Sequence, residues 1–412
     1  MFFRLAYKSL LNRKSSVLLT IMAMTVSIFV LLGVEHIRHQ AKDSFANTVS
    51  GVDLIVGSRT GSLNLLLYSV FRIGSPTNNI SWSSFQEIAN NSKVKWAIPI
   101  SLGDSHKGYR VMGTSQDYFE YFSYGNKHKL GFKKGGPFYD LFDVMLGSDV
   151  AKKLGYSIED KLVLAHGIAK TSFSLHDDRP FTVVGILKPT GTPIDQTLHI
   201  SLKAIDTIHI DWKHGVKMSD KHIPITQLEK LKHKPKSITA FMLGLNSRMA
   251  TFSVQRDINH YRKEPLTAVL PGVALSELWQ MMNILENTLR LISVMILIAA
   301  LLGLSAMLLA SIRERSHEVQ LLRVIGASPL FLFFLIELEA LMISLVSIIL
   351  GASLVYVCLT VVSDMLASSF GLHIDANFLS KNSLYLLLLI VASTLIAAAI
   401  PYFSIYKNAS SV

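Results

Sequence analysis

Four stretches of this chain carry no charged residue and are each long enough, at about 20 residues, to cross the hydrocarbon of a bilayer as a helix. They are residues 15–34, 291–312, 340–363 and 384–406, the last with Pro401 near its end. Backbone amides and carbonyls find no water in lipid, so each run is predicted to be a spanning helix. The first run is longer than the apolar core of a secretory signal, and no small-x-small site follows it closely. It reads as a retained anchor. Between the first and second runs lie about 250 residues of mixed character. The charged fraction of 17% is therefore an average over two unlike parts, a membrane domain and a water-exposed one.

Orientation follows from the short segments. Residues 1–14 hold Arg4, Lys8, Arg13 and Lys14 and no acid, which predicts a cytoplasmic N-terminus. The chain then leaves, and the long middle segment lies outside. It returns to a short loop with Arg313, Arg315 and Arg323, leaves again, and comes back to a tail with Lys407. Both termini are expected in the cytoplasm, with the large domain periplasmic and the protein in a bacterial inner membrane.

The middle segment alternates short β-rich runs (52–56, 94–100, 181–187, 239–245) with helical patterns (83–90, 148–154) and Gly-Pro turns at 135–137 and 189–193. This predicts an α+β domain. Beside the membrane, Val34, Ile37, Ala41, Phe45 and Thr48 form one helical stripe, and Leu278, Met281, Leu285, Leu289 and Ile292 form another. Neither is broken from its span by Gly or Pro, so both spans are expected to continue as stalk helices that pack together. The expected division is 1–50 for the cytoplasmic segment, first span and stalk, 51–275 for the periplasmic domain, and 276–412 for stalk and three spans.

The net charge of +11 does not point to nucleic acid. Residues 35–290 hold 31 Lys and Arg against 23 Asp and Glu, spread without an aromatic stacking pattern. The one dense run, Lys230, Lys232, Lys234 and Lys236, is interrupted by Pro235 and reads as a solvated loop, with a face toward anionic lipid as the next reading. Cys358 is the sole cysteine, which excludes an internal disulfide and a Cys-based metal site. No G-x-S-x-G or H-E-x-x-H occurs, and the chain is read as non-catalytic.

The most informative stretch is 311–329, in the only sizeable cytoplasmic loop. Glu314, Glu318, Leu321, Leu322 and Ile325 fall at helical spacing, and Gly326 followed by Pro329 is a stop. On these residues alone, a short helix that docks on a soluble partner and a plain charged turn are equally compatible. The pattern resembles the signature of the FtsX/MacB-type (type VII, LolC/LolE-like) ABC transporter permeases, Glu-Arg-x-x-Glu-Ile-x-x-Leu-Arg-x-x-Gly-Ala. Glu314, Arg315, Glu318, Val319, Leu322, Arg323, Gly326 and Ala327 stand in register with it. Glu339 matches the acid that this family places early in the third span, and the order of one span, large external domain and three spans also agrees.

The resemblance implies a cytoplasmic ABC ATPase docked on that helix and a second permease chain, identical or not. It further implies ATP-driven movement of the stalks and periplasmic domain. The chain has no G-x-x-x-x-G-K-[ST] loop, so ATP and magnesium belong to the partner ATPase. Many relatives continue into a longer tail, whereas this sequence stops at Val412, and no tail contact is carried over. Lipoprotein release, export through a tripartite assembly and metal handling are all compatible cargo roles. A periplasmic adaptor or binding protein is a further partner by family. A membrane sensor or scaffold without an ATPase is the rival reading.

Seven of the 14 histidines fall between His166 and His233. His176 with Asp178, and His209, His214 and His222, offer imidazole and carboxylate donors of the kind zinc takes. Their spacings match no established ligand motif, and a solvated His-rich surface is the plainer reading.

Overall fold

All four charge-free runs are helical in the computed structural model, which describes residues 2–46, 48–167, 176–177, 179–208, 210, 212–213, 216–217, 235–314, 329–370 and 381–409. Among the described residues, four helices are long and apolar enough to span a membrane. They are Lys14–Ala46, Pro271–Glu314, Pro329–Phe370 and Lys381–Ala409, and carry spans 1 to 4. The chain divides into a helical unit (Met1–Ala41, Met282–Met365 and Ile374–Val412) and a sheet unit (Lys42–Met281 with Leu366–His373).

In the helical unit, Val17 and Met24 of span 1 share one core with Ala300, Leu304 and Leu308 of span 2, Ala340 and Ile343 of span 3, and Ala398 of span 4. Lipid is as apolar as leucine, so helix contacts here depend on small residues and hydroxyls. Gly351 lets span 3 approach span 1, where a Cβ would stand 2.9 Å from Ile28 and 3.2 Å from the Thr25 carbonyl. The Ser305 hydroxyl donates to the Ala397 carbonyl at 2.8 Å, tying span 2 to span 4. Thr394 and Ser344 join spans 4 and 3 at 3.3 Å.

The sheet unit is built on eleven strands, numbered here in chain order: β1 (Leu54–Ser58), β2 (Val94–His106), β3 (Tyr109–Thr114), β4 (Phe132–Gly135), β5 (Asp143–Leu146), β6 (Lys161–Leu162), β7 (Ala165–His166), β8 (Phe181–Leu187), β9 (Thr197–Ser201), β10 (Ala240–Leu245) and β11 (Leu266–Val269). Their order is β11-β1-β10-β2-β3-β9-β5-β8-β4, with β7 added on β2 and β6 on β8. Most pairs are antiparallel, while β9 with β3 and β8 with β5 run parallel. Alternate residues of β10 enter different cores. Met242 joins Ile55, Ile98 and Leu66, whereas Phe241 and Leu243 join Leu54, Phe85 and Val254. A strand buried on both faces reads as a continuous apolar run, which is why this part of the sheet was visible in the sequence.

The predicted helices are present as Trp82–Ala89 and Ser148–Leu154. The second sequence strand extends beyond its apolar run, to His106, and returns through Lys107 (φ 47°) and Gly108 (φ 88°). Two positive φ values make the tight hairpin turn whose twist matches that of the strands. At Gly135 (φ 67°) a Cβ would sit 1.9 Å from the Val184 carbonyl oxygen, so only glycine closes the β4–β8 edge.

One expectation needs correction. In the stripe Leu278, Met281, Leu285, Leu289 and Ile292, Leu278 is half-buried but the other four are 65%, 52%, 40% and 47% exposed, and in the first stripe Val34 is half-buried, Thr48 buried and Ile37 44% exposed. The helices do continue past the predicted runs, but charged residues join them, as described below. The side chains of Ala41 and Phe45 lie outside the described residues, as do Lys230, Lys232 and Lys234.

Candidate functional site

The described part of the span 2 helix reaches Glu314, the first residue of the resembling segment. The Ser311 carbonyl accepts a 2.6 Å bond from Arg13 Nη2. Arg13 Nε also lies 3.2 Å from Glu314 Oε2. A guanidinium there donates to a backbone carbonyl and holds the acid that opens the segment. Sequence reading used Arg13 only as an orientation charge. Arg315, Glu318, Val319, Leu322, Arg323, Gly326 and Ala327 lie outside the described residues. Glu339 is 5% exposed on span 3, next to Ala340 of the shared core.

The helical unit has a second polar feature, between the helices of spans 1 and 2. Arg38 contacts Glu35 at 2.5 Å and Glu286 at 3.4 Å, and Arg290 reaches Glu35 at 3.3 Å. Two of these contacts cross between helices. Beside them a cleft of about 330 Å³ is lined by Leu31, Val34, Leu386 and Leu389 together with Glu35 and Arg290.

In the sheet unit, three donors from distant sequence positions converge. Asp104 and His166 are cross-strand partners in the β2–β7 pair. Side chains of directly opposed residues lie on the same face, and Asp104 Oδ1 stands 3.3 Å from His166 Nδ1. His176 is brought back by its backbone amide, which donates to the Leu164 carbonyl at 2.9 Å. One donor atom from each of the three lies within 4.8 Å of the others. Of the histidines and acids singled out in the sequence, this group includes His176. Asp178, His209, His214 and His222 lie outside the described residues. Asp104 and His166 were missed because strand pairing across some 60 positions brings them together.

Other histidines have different duties. His106, two residues from Asp104, uses its ring nitrogens on the Val163 carbonyl (2.7 Å) and Tyr156 hydroxyl (2.9 Å). His199 on β9 is fully buried and stacks on Tyr118 at 5.5 Å. Burial, with the Arg72 guanidinium adding to it, pushes its pKa down to about 3. Burial likewise pushes the Tyr118 hydroxyl up to about 12. His199 is thus a neutral core residue at ordinary pH.

Four spans, with a mixed-sheet domain between the first and second, define a polytopic membrane protein of the permease class. The sequence matches the MacB-like periplasmic core domain over residues 17–258 and the FtsX-like permease C-terminal domain over residues 290–409. The chain belongs to the FtsX/MacB family of ABC transporter permeases, with a MacB-like periplasmic domain. Among solved structures, it is similar to the periplasmic region of MacB from Actinobacillus actinomycetemcomitans, at 12% identity and a TM-score of 0.35, covering 56% of this chain and 94% of that one. It is also similar to the extracellular domain of the noncanonic ABC-type transporter YknZ from Gram-positive bacteria, at 11% identity and a TM-score of 0.31, covering 53% and 99%. No curated protein sequence matches the chain significantly.

Proposed function

We propose that this permease couples ATP hydrolysis by an ATPase on a separate polypeptide to movement of its periplasmic domain. The observation that carries the reading is the coupling signature itself, residues 314–327, whose first residue Arg13 holds. An ATPase pushing on that segment would act on span 2. Its helix runs for 44 residues, about 66 Å at the usual rise and roughly twice the hydrocarbon thickness. A continuous helix passes on displacement that a loop would absorb. The basic N-terminal segment supports a cytoplasmic position for this end. The exposed stripe on the span 2 helix suits a second permease chain, since large apolar patches mark interaction surfaces. Cargo would be handled on the periplasmic side, by export or extraction.

Purification of the tagged protein in mild detergent, followed by mass spectrometry, tests the reading. A P-loop ATPase near one per permease is expected, and its absence even after crosslinking would leave a sensor or scaffold as the better account. Glu318→Lys and Gly326→Pro are expected to leave the permease folded in the membrane while removing its stimulation of ATP hydrolysis. Stimulation at the normal level in both would sink the docking role.

A further inference from the structure

We infer that Asp104, His166 and His176 form a divalent transition-metal site in the periplasmic domain, with zinc as the ion it suits best. The inference stands apart from the ATPase reading and rests on three properties of the cluster.

The first is the donor set. Two imidazoles and one carboxylate make a three-ligand zinc site that keeps one position open, as opposed to the closed four-ligand arrangement of purely structural sites. Hard cations such as magnesium and calcium prefer all-oxygen shells, which this cluster does not offer.

The second is geometry. Donors around a tetrahedral zinc with ~2.05 Å bonds stand about 3.3 Å apart. The Asp104–His166 pair is already at 3.3 Å. The remaining donor separations are within 4.8 Å, so a bound ion would need to draw the donors together by no more than about 1.5 Å. The rings of His166 and His176 are 6.5 Å apart and nearly perpendicular at 86°. They therefore approach the shared point from different directions and do not stack on each other.

The third is the backbone that fixes the donors. Ala165 pairs with Ser105 and His166 with Asp104, the Gly167 amide donates to the Gly103 carbonyl at 3.1 Å, and the His176 amide bonds Leu164. Burial divides the ligands by role. Asp104 and His176 are fully buried, while the His166 side chain is 44% exposed. Asp104 is held by the sheet, His176 by its amide bond to Leu164, and His166 stands where an ion enters from water. A buried carboxylate is costly to keep away from water, and a cation beside it offsets that cost. His106, the nearest other histidine in sequence, is engaged elsewhere and is not a ligand.

The plain alternative is a His–Asp pair with no metal. Zinc titration of the full-length, chelator-stripped protein in detergent separates the two, with competition against a chromogenic chelator as readout. Cobalt substitution gives an independent spectrum. One zinc per chain is expected, together with cobalt d–d bands of nitrogen and oxygen ligation. Asp104→Asn, His166→Ala and His176→Ala should each weaken zinc binding by at least about tenfold, since even outer-shell changes cost that much. His260→Ala, on an exposed helix end, should leave affinity unchanged. Should the two buried variants fail to fold, His166→Ala decides the matter, because its half-exposed side chain is dispensable for packing. Zinc binding that survives at wild-type affinity in His166→Ala, or sub-stoichiometric binding to the wild type, would overturn the site.

Discussion

The sheet unit and the helical unit use their apolar residues in opposite ways. In the sheet unit nearly every large apolar strand residue is at or near zero exposure, arranged in cores on both faces of the sheet. In the helical unit Leu19, Leu302, Val361 and Ile396 are 68%, 61%, 71% and 70% exposed, and one smaller core ties the spans. Removal of apolar surface from water stabilises the first at about 25 cal/mol per Å². That driving force is weak between helices already in lipid, so the second depends on close backbone approach and internal hydrogen bonds. A steric error should therefore cost most where packing is densest and least relieved.

The chain carries its own reporters for this contrast. All four tryptophans (82, 96, 212 and 279) lie in the sheet unit, and the sole cysteine, Cys358, lies in the helical unit. Tryptophan fluorescence follows one unit, and the thiol's reactivity toward a maleimide dye follows the other, in the same detergent sample.

The largest effect is expected at Gly135. Alanine there adds a Cβ at 1.9 Å from a backbone oxygen on a residue with φ 67°, and neither the sheet edge nor the turn can relieve both. Left-handed strain plus overpacking predicts a loss of about 3 kcal/mol or more for Gly135→Ala, read by tryptophan fluorescence in urea. The Cys358 signal should hold. Loss of both signals together would mean that the two units unfold as one.

Acid comes next. His199 has a folded pKa of about 3, lowered mainly by burial and then by Arg72, against an unfolded value near 6.5. The unfolded chain therefore takes up a proton first as pH falls. Stability is complete above pH ~6.5 and declines through the window down to pH ~3, by roughly 2 kcal/mol at pH 5. His199→Phe keeps an aromatic ring against Tyr118 and removes the titration. The wild-type minus variant difference should carry this slope in the tryptophan signal, and a flat difference from pH 7 to 5 would refute the assignment.

How much of this was legible differs between the units for a physical reason. The spans were readable because lipid demands an uninterrupted apolar helix, and β1 and β10 because burial on both faces leaves a continuous apolar run. Sheet order was not, since pairing such as β1 with β10 joins Leu54 to Leu243, and no local pattern encodes that distance. The same holds for the candidate metal site. His176 stood out in a histidine-rich segment, while Asp104 is one acid on a strand extension whose apolar signal stops at Ile100. At the start of the signature segment, Glu314 was found by family pattern, and the role of Arg13 needed the fold. The stalk stripe misled because helical periodicity reveals an apolar face without saying what covers it, and in the single chain Arg38 and Glu286 make the cross-contact.

The smallest effect is expected at Gly351, the helical unit's counterpart of Gly135. A Cβ there meets the Ile28 side chain at 2.9 Å and the Thr25 carbonyl at 3.2 Å, tight contacts that two helices can relieve by a small shift. Overpacking costs typically ~1–3 kcal/mol. Against it, alanine is favoured over glycine within a helix by about 1 kcal/mol. The two partly cancel, and Gly351→Ala should lose about 1 kcal/mol, seen as a lower midpoint for Cys358 exposure with an unchanged tryptophan transition. Leucine at the same position has no such relief and should separate spans 1 and 3. If Gly351→Ala cost as much as Gly135→Ala, the helical unit would be as rigidly packed as the sheet, and the contrast between the two units would fail.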